Sequence, residues 1–279
     1  MGEHVRERRI DREVIGVAGC GRMGAPMLAA LHAAGFDVRG YDVRDFDKFG
    51  DLSTLMLPRD AFADGLTTLI SVVRDIDQTE DVLFGAQNFA GCPTLRRIII
   101  SSTLSPKYVR ALRTRIPAHV ILIDAPMSGA AIAAQERRLS FMLGGDPQDL
   151  DAAQPLFDAM GQHFHRMGVF GNGMQAKVLN NILAAANTAL TRMVLDWADA
   201  ADLDQDALLG LIHDSSGQNW FASHFDQIEF ARDGLDAENS IAILVKDVES
   251  ALDAAPPDAD LTAPRAIQAL LSQLEPRKT

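Results

Sequence analysis

A chain of 279 residues with 47% hydrophobic and 23% charged side chains is long enough for two domains and too apolar for intrinsic disorder. Its 38 acidic residues outnumber its 26 basic ones, and the formal net charge of −12 argues against the broad cationic surface that a nucleic-acid partner requires. A small anionic ligand is still compatible with that balance, because local cations dominate the field at short range. Two cysteines, Cys20 and Cys92, give no disulfide framework and fit reduced thiols in a cytoplasmic protein. The stretch Gly2 to Glu13 is crowded with Glu, Arg and Asp and has no apolar centre for a secretory signal. No run approaches the ~20 apolar residues of a membrane span, so no membrane partner is expected.

In chain order, the first half alternates short Val-, Ile- and Leu-rich runs with helical stretches, the pattern of a parallel sheet covered on both faces. The predicted strands are Val14–Ala18, Asp37–Asp42, Thr67–Val73, Arg97–Ser102, His119–Asp124 and Ser140–Gly144. Pro26 sits in the first turn of a helix that Gly35 stops, while Ser105-Pro106 and Asp146-Pro147 each read as a cap followed by proline. Strands cease by about Gly168. After the turn Gly171-Asn172-Gly173, a long helix is predicted over Met174–Ala201, with the apolar stripe Leu179, Ile182, Ala186, Leu190, Met193, Val194 and Trp197. Further helices are predicted over Asp204–His213, Trp220–Arg232, Ser240–Ala254 and Pro264–Leu274. The fold class is therefore α/β: a Rossmann-type doubly wound parallel sheet domain over residues 1–170, followed by an all-α C-terminal domain over 171–279. Trp220, Phe221, Phe225 and Phe230 lie at helical spacing, which fits core packing first and a subunit interface or an apolar substrate wall second.

The segment joining the first strand to its helix is Gly19-Cys20-Gly21-Arg22-Met23-Gly24. Gly19 permits a tight turn, Gly21 lets the backbone approach a pyrophosphate, and Gly24 allows close helix–strand packing. The free N–H groups of the helix start then face the phosphates. Asp42 ends the second strand, where a carboxylate accepts bonds from the adenosine ribose hydroxyls and repels a 2′-phosphate. NAD is favoured. NADP stays open because the guanidinium of Arg44 can swing toward a 2′-phosphate. A solvated strand-end carboxylate is the plainer alternative for Asp42.

Two other segments carry chemistry. Asp124-Ala125-Pro126-Met127-Ser128-Gly129-Ala130 follows a strand end, where open α/β sheets bind ligands, and Ser128 beside Gly129 makes a compact carboxylate-binding corner. Taken alone, that corner reads equally well as a capped turn. Lys177 and Asn181 share one face of the long helix, with the small Ala184 and Thr188 continuing it. A partly desolvated lysine exchanges a proton with a substrate oxygen, and an asparagine holds the same oxygen without charge. Lysines at helix starts are ordinarily solvated. The pair Asn180-Asn181, however, is a poor choice for a helix interior unless its hydrogen bonds are needed.

These motifs together resemble the β-hydroxyacid dehydrogenase family, which includes 3-hydroxyisobutyrate dehydrogenase and tartronate semialdehyde reductase. The resemblance runs from Val14 to about Pro264. It rests on Gly19-x-Gly21-x-x-Gly24-x-Pro26-Met27, Ser102-Thr103-x-Ser105-Pro106, Asp124-Ala125-Pro126-x-Ser128-Gly129, Gly171-x-Gly173 ahead of Lys177, Asn180 and Asn181, and Lys246-Asp247. It implies that Lys177 is the general acid/base, that Asn181 positions the reacting oxygen, and that Ser128 and Gly129 bind the substrate carboxylate. It also implies cofactor contacts from Gly19, Gly21, Arg22, Met23 and Gly24, from Asp42, from Val73, and from Thr103 near the nicotinamide ribose. Lys246, with Asp247 beside it, closes over the cofactor from the second domain. A small hydroxy-acid or semialdehyde substrate, a homodimer or larger homo-oligomer built through the helices, and no metal site complete the expectation.

The chain departs from the family pattern at Ala130 and Arg137, where the family carries glycine, and at Arg138, Val73-Arg74 and Met193. Ala130 narrows the substrate corner by a methyl group. Related proteins of the same fold reduce imines but generally lack the lysine, so Lys177 favours carbonyl chemistry. A 6-phosphogluconate-type substrate goes with a much larger helical domain. A non-catalytic NAD-binding module need not keep Ser128, Lys177 and Asn181 together.

Overall fold

The computed structural model describes residues 13–237 and 239–277. The charged N-terminal stretch considered above lies outside the described residues except for Glu13. The chain divides into two compact units, one holding residues 13–102 and 112–170, the other 103–111 and 171–277.

The first unit is built on an eight-stranded sheet with the order β2-β1-β3-β4-β5-β7-β6, β8 pairing with β7. Its strands are β1 (Ile15–Ala18), β2 (Val38–Tyr41), β3 (Thr68–Ser71), β4 (Arg97–Ile100), β5 (Ile121–Asp124), β6 (Met127–Ser128), β7 (Leu139–Gly144) and β8 (Gly161–Gly168). β1 to β5 pair in parallel, as the buried apolar runs require, while β5–β7 and β6–β7 are antiparallel and β7–β8 is parallel. The six predicted strands are present, five with trimmed ends and β7 starting one residue earlier, at Leu139. β6 and β8 were not predicted. β8 has the polar sequence Gln162-His163-Phe164-His165-Arg166, which is tolerated because most of the strand is exposed.

Because β2 and β3 flank β1 on opposite sides, the chain reverses direction across the sheet at β1. The loop after β1 therefore stands at a topological switch point, where open α/β sheets leave a crevice. Helix α1 (Gly24–Ala33) follows that loop and packs through Met27, Leu28 and Leu31 into a core with Ile15 and Val17 of β1, Phe141 and Leu143 of β7, and Leu156, Phe157 and Met160 of a later helix. Pro26 and Gly35 sit where the sequence placed the start and stop of α1, and Gly35 adopts φ 87°. Asp146 caps the helix that begins at Pro147, its carboxylate accepting from Gln148 N at 2.9 Å.

The second unit is helical. After α2 (Arg59–Ala63), α3 (Ile76–Leu83), α4 (Pro106–Arg115), α5 (Ala130–Gln135) and α6 (Pro147–Met160), the chain continues into its α7 (Asn172–Ala200), α8 (Gln205–Asp214), α9 (Trp220–Ser223), α10 (Ser240–Asp253) and α11 (Thr262–Ser272). α8, α9 and α10 are capped by Asp204, Asn219 and Asn239, each side chain accepting from backbone N–H groups of its helix's first turn. One small core joins Ala185 and Ala189 of α7 to Val248 of α10 and Leu271 of α11; another joins Leu195 to Leu209, Phe221, Phe225 and Ala231.

Two expectations are corrected in this unit. The helix predicted over Trp220–Arg232 stops at Ser223. Arg192, 1% exposed, donates Nη1 to the carbonyls of Ala231 (3.0 Å) and Asp233 (2.7 Å) and Nη2 to that of Glu275 (2.6 Å). Beyond Ser223 the segment follows turns, with the Arg192 guanidinium seated on the carbonyls at its far end. Of the aromatics there, Phe221 and Phe225 are core residues and Phe230 packs against them, whereas Trp220 is exposed and lies against the His224 ring. The second correction concerns α7. It buries Lys177, Asn181, Thr188 and Arg192, and leaves Leu179, Leu183, Leu190 and Trp197 outside, the last 68% exposed.

Candidate active site

In the first unit the glycine loop is held by sterics and by one carboxylate. Gly19 has φ 90°, and a Cβ there would meet the Val72 carbonyl carbon and oxygen and Val73 Cγ1, all at 2.8 Å. A Cβ on Gly24 would collide with the Gly19 carbonyl oxygen. These two positions need glycine for the protein's own packing. Gly21 does not, since a Cβ there meets nothing within 4 Å. The open space in front of Gly21 is what a backbone that must approach a pyrophosphate requires, so the loop fits a dinucleotide. α1 adds an N-terminus that no side chain caps, its Met23 at the cap position. Arg22 is exposed, Met23 is half-buried against the core, and Val73 stands beside Gly19.

Asp42, just past β2, accepts from Cys20 N through Oδ2 at 2.9 Å, tying the second strand to the glycine loop. Arg44 donates Nε to Oδ1 at 2.9 Å and Nη2 to Oδ2 at 3.1 Å, and its backbone N–H reaches Oδ1. Its guanidinium also lies over the Phe49 ring at 4.9 Å. Partial burial works to raise the Asp42 carboxyl, but the bonds from Arg44 and the Cys20 amide outweigh it and hold the group below the usual range. Between these residues lies Cys20, whose thiol is pushed up to about 12 by burial and by the neighbouring Asp42 charge, so it is no nucleophile.

Ser128 closes β6, half-buried, and Gly129 follows it at φ 132°, exposed. Both belong to the first unit. Ala130 (φ 54°) and Arg137 (φ 56°), which stand where the family pattern has glycine, both keep left-handed backbone. A side chain in that region costs about 1–2 kcal/mol, so the two ends of the short helix α5 (Ala130–Gln135) are strained.

The second unit gathers the other expected residues. Lys177, 8% exposed, and Asn181, 5% exposed, lie one turn apart on the buried face of α7. Asn181 donates Nδ2 to Asp247 Oδ2 at 2.5 Å, and Asn180 Nδ2 reaches Asn181 Oδ1 at 3.3 Å. Lys246 Nζ contacts Asp247 Oδ1 at 2.9 Å and donates to the Thr103 carbonyl at 2.6 Å. Lys177, Asn181, Lys246 and Thr103 are thus brought together from three distant stretches of sequence. Burial lowers the Lys177 amine from 10.5 to about 8, opposed by the Asp247 charge and helped by that of Lys246. Such an amine is a substantial base and a usable acid near neutrality. Beyond its place next to Lys246, Asp247 had no function predicted for it, and its only sequence signal was that adjacency.

A family model described as the NAD binding domain of 6-phosphogluconate dehydrogenase matches residues 14–171, and one described as NAD-binding of NADP-dependent 3-hydroxyisobutyrate dehydrogenase matches 171–275. The chain belongs to the β-hydroxyacid dehydrogenase family. It is an NAD(P)-dependent dehydrogenase of divergent sequence within it. L-threonate dehydrogenase of Cupriavidus necator is 29% identical over 86% of this chain and 83% of its own length. The NAD-dependent L-serine dehydrogenase of Pseudomonas aeruginosa is 30% identical over 74% and 71%, respectively. Among solved structures, Mycobacterium tuberculosis 3-hydroxyisobutyrate dehydrogenase with L-serine superposes with a TM-score of 0.76 at 24% identity, covering 94% of this chain and 96% of that one. An imine reductase from Myxococcus stipitatus in complex with NAD+ has the same fold at a TM-score of 0.58 and 15% identity, covering 93% and 92%. Among the described residues no helix is long and apolar enough to cross a membrane.

Proposed function

We propose that this family member interconverts a small β-hydroxy acid and its semialdehyde, of the size of 3-hydroxyisobutyrate, threonate or serine, with NAD as preferred cofactor. The observation that carries the reading is the buried Lys177 amine, brought down to about 8 and grouped with Asn181, Lys246 and Asp247. In the oxidative direction neutral Lys177 takes the proton of the substrate hydroxyl, and Asn181 donates to the same oxygen. In reduction the Lys177 ammonium returns that proton. Ser128 and the Gly129 N–H bind the carboxylate. NAD, when bound, accepts or supplies the hydride; Gly19, Gly21, Arg22, Met23, Gly24, Asp42, Val73, Thr103 and Lys246 would hold it. The preference for NAD is supported by Asp42, whose carboxylate already occupies Arg44 and so denies a 2′-phosphate its cation. The dinucleotide role falls to residues 1–170 and the substrate-binding and oligomerising role to 171–279.

We further assign a homodimer or larger homo-oligomer, supported by the stripe of Leu179, Leu183, Leu190 and Trp197 along α7, which the chain leaves exposed. A cytoplasmic location is supported by two free cysteines. The imine-reducing alternative is disfavoured by the lysine itself.

The test is NADH formation by the purified protein with 3-hydroxyisobutyrate, 3-hydroxypropionate, D-glycerate, L-threonate and L-serine, run beside reduction of cyclic imines. Turnover of at least one hydroxy acid is expected, abolished in Lys177→Ala with NAD affinity retained. Full activity of Lys177→Ala, or turnover confined to imines, would overturn the assignment.

A further inference from the structure

Asp247 is 2% exposed on α10 and meets two of the site's functional groups from one carboxylate. Oδ2 takes the Asn181 amide N–H, and Oδ1 contacts the Lys246 ammonium at 2.9 Å. That second contact is close but poorly directed, since Oδ1 receives no well-formed hydrogen bond. A carboxylate so deeply buried is costly unless positive charge surrounds it. Among the charges bearing on Lys177 are those of Asp247 and Lys246, both from α10.

We propose that Asp247 is the positioning residue of the site, one oxygen orienting Asn181 toward the reacting oxygen and the other anchoring Lys246. A carboxylate held there also bears on Lys177 and favours its ammonium form. This rests on reading Lys177 as the acid/base. The tether and the charge are separable. Asp247→Asn keeps an oxygen for Asn181 but removes the charge, whereas Asp247→Ala removes both. Burial alone would drive the Lys177 amine further down, and the opposing pull of Asp247 keeps it usable as an acid in the reductive direction. Lys246, held on Asp247 and on the Thr103 carbonyl, pulls the Lys177 amine the other way.

The experiment is a pH titration of the cofactor-free protein with lysine labelled with 13C at Cε, the Lys177 signal being assigned by its loss in Lys177→Arg. In the wild-type protein its midpoint is expected near 8. In Asp247→Asn the midpoint should fall by roughly 1, as when an opposite charge within ~4–6 Å is removed. An unchanged midpoint in a folded Asp247→Asn protein overturns the proposal. Should that variant not fold, Asp247→Glu decides: the retained charge should hold the midpoint at the wild-type value, and a fall overturns the proposal. In turnover, the limb of kcat/KM for oxidation that rises with pH should move to lower pH in Asp247→Asn. Asp247→Ala should also lose kcat by roughly 10²-fold through misplaced Asn181. Wild-type kcat in Asp247→Ala would rule out the positioning role. A wild-type protein inactive on every hydroxy acid would refute the proposed function, while the titration would still decide the role of Asp247.

Discussion

Replacing Lys177 with methionine should abolish turnover and at the same time make the protein more stable at neutral pH. Methionine keeps the unbranched apolar stem that Lys177 buries in α7 but carries no charge. In the folded protein the amine titrates near 8, against 10.5 in an unfolded chain. With a tenfold change in proton affinity worth about 1.4 kcal/mol, the folded state below pH 8 bears about 3 kcal/mol for holding the ammonium. Between pH 8 and 10.5 the unfolded chain holds more protons, so this group makes stability rise with pH through that window, and the cost is gone above it. Urea and thermal unfolding of wild type and Lys177→Met, followed by tryptophan fluorescence at pH 7 and pH 10, read the difference. At pH 7 the variant should melt higher by roughly 5–10 °C, as ~3 kcal/mol implies for a protein of this size. By pH 10 most of that gap should have closed, because the wild-type amine has lost its proton. A variant less stable than wild type at pH 7, or a gap that stays the same at pH 10, would show that Lys177 is not held charged against burial.

The two glycines of the loop should part company. Gly21→Ala should leave the melting temperature almost unchanged while weakening NAD binding by roughly tenfold or more, because the space its methyl enters is needed only by the pyrophosphate; isothermal titration would show it, and unchanged affinity would count against the loop as the phosphate site. Gly24→Ala should instead destabilise by about 1–3 kcal/mol through its clash with the Gly19 carbonyl, with or without cofactor. Asp42→Ala should raise KM for NAD by roughly 10-fold or more, the worth of hydrogen bonds to a charged group, and improve NADP use as Arg44 is released. An unchanged ratio of kcat/KM between the two cofactors would refute the discrimination. The double variant Leu190→Glu, Trp197→Glu should sediment as a monomer at concentrations where wild type is associated, since both side chains lie on the exposed stripe of α7; unaltered sedimentation would move the interface elsewhere.

Much of the first unit could be read residue by residue. A strand buried on both faces has few polar positions, so β1 to β5 announced themselves, and the step from β1 into Gly19, Gly21 and Gly24 followed by a helix is a local signal. Lys177 and Asn181 were legible because a helical turn separates them and because asparagines in a long helix ask for a reason. β8 was missed: an exposed edge strand shows no apolar run. The interruption after Ser223 carried no local signal, and the buried Arg192 that takes the carbonyls of Ala231 and Asp233 lies far off in sequence on α7. Asp247 carried no signal beyond its place next to Lys246.

Short-range patterning was therefore enough to establish an α/β chain with a dinucleotide loop, an acid at the end of the second strand and a lysine–asparagine pair, because each of these is a spacing along a strand, turn or helix. Tertiary structure decided which face of α7 turns inward. The greasiest stripe did not win; the face with Lys177, Asn181, Thr188 and Arg192 did, which also carries Ala185, Ala189 and Leu195 into the unit's cores, and folding supplies Asp247 to Asn181 and the carbonyls of Ala231, Asp233 and Glu275 to Arg192. Only folding brings such partners, far apart in the chain, to the same place, and the lowered proton affinity of Lys177 is a consequence of that burial.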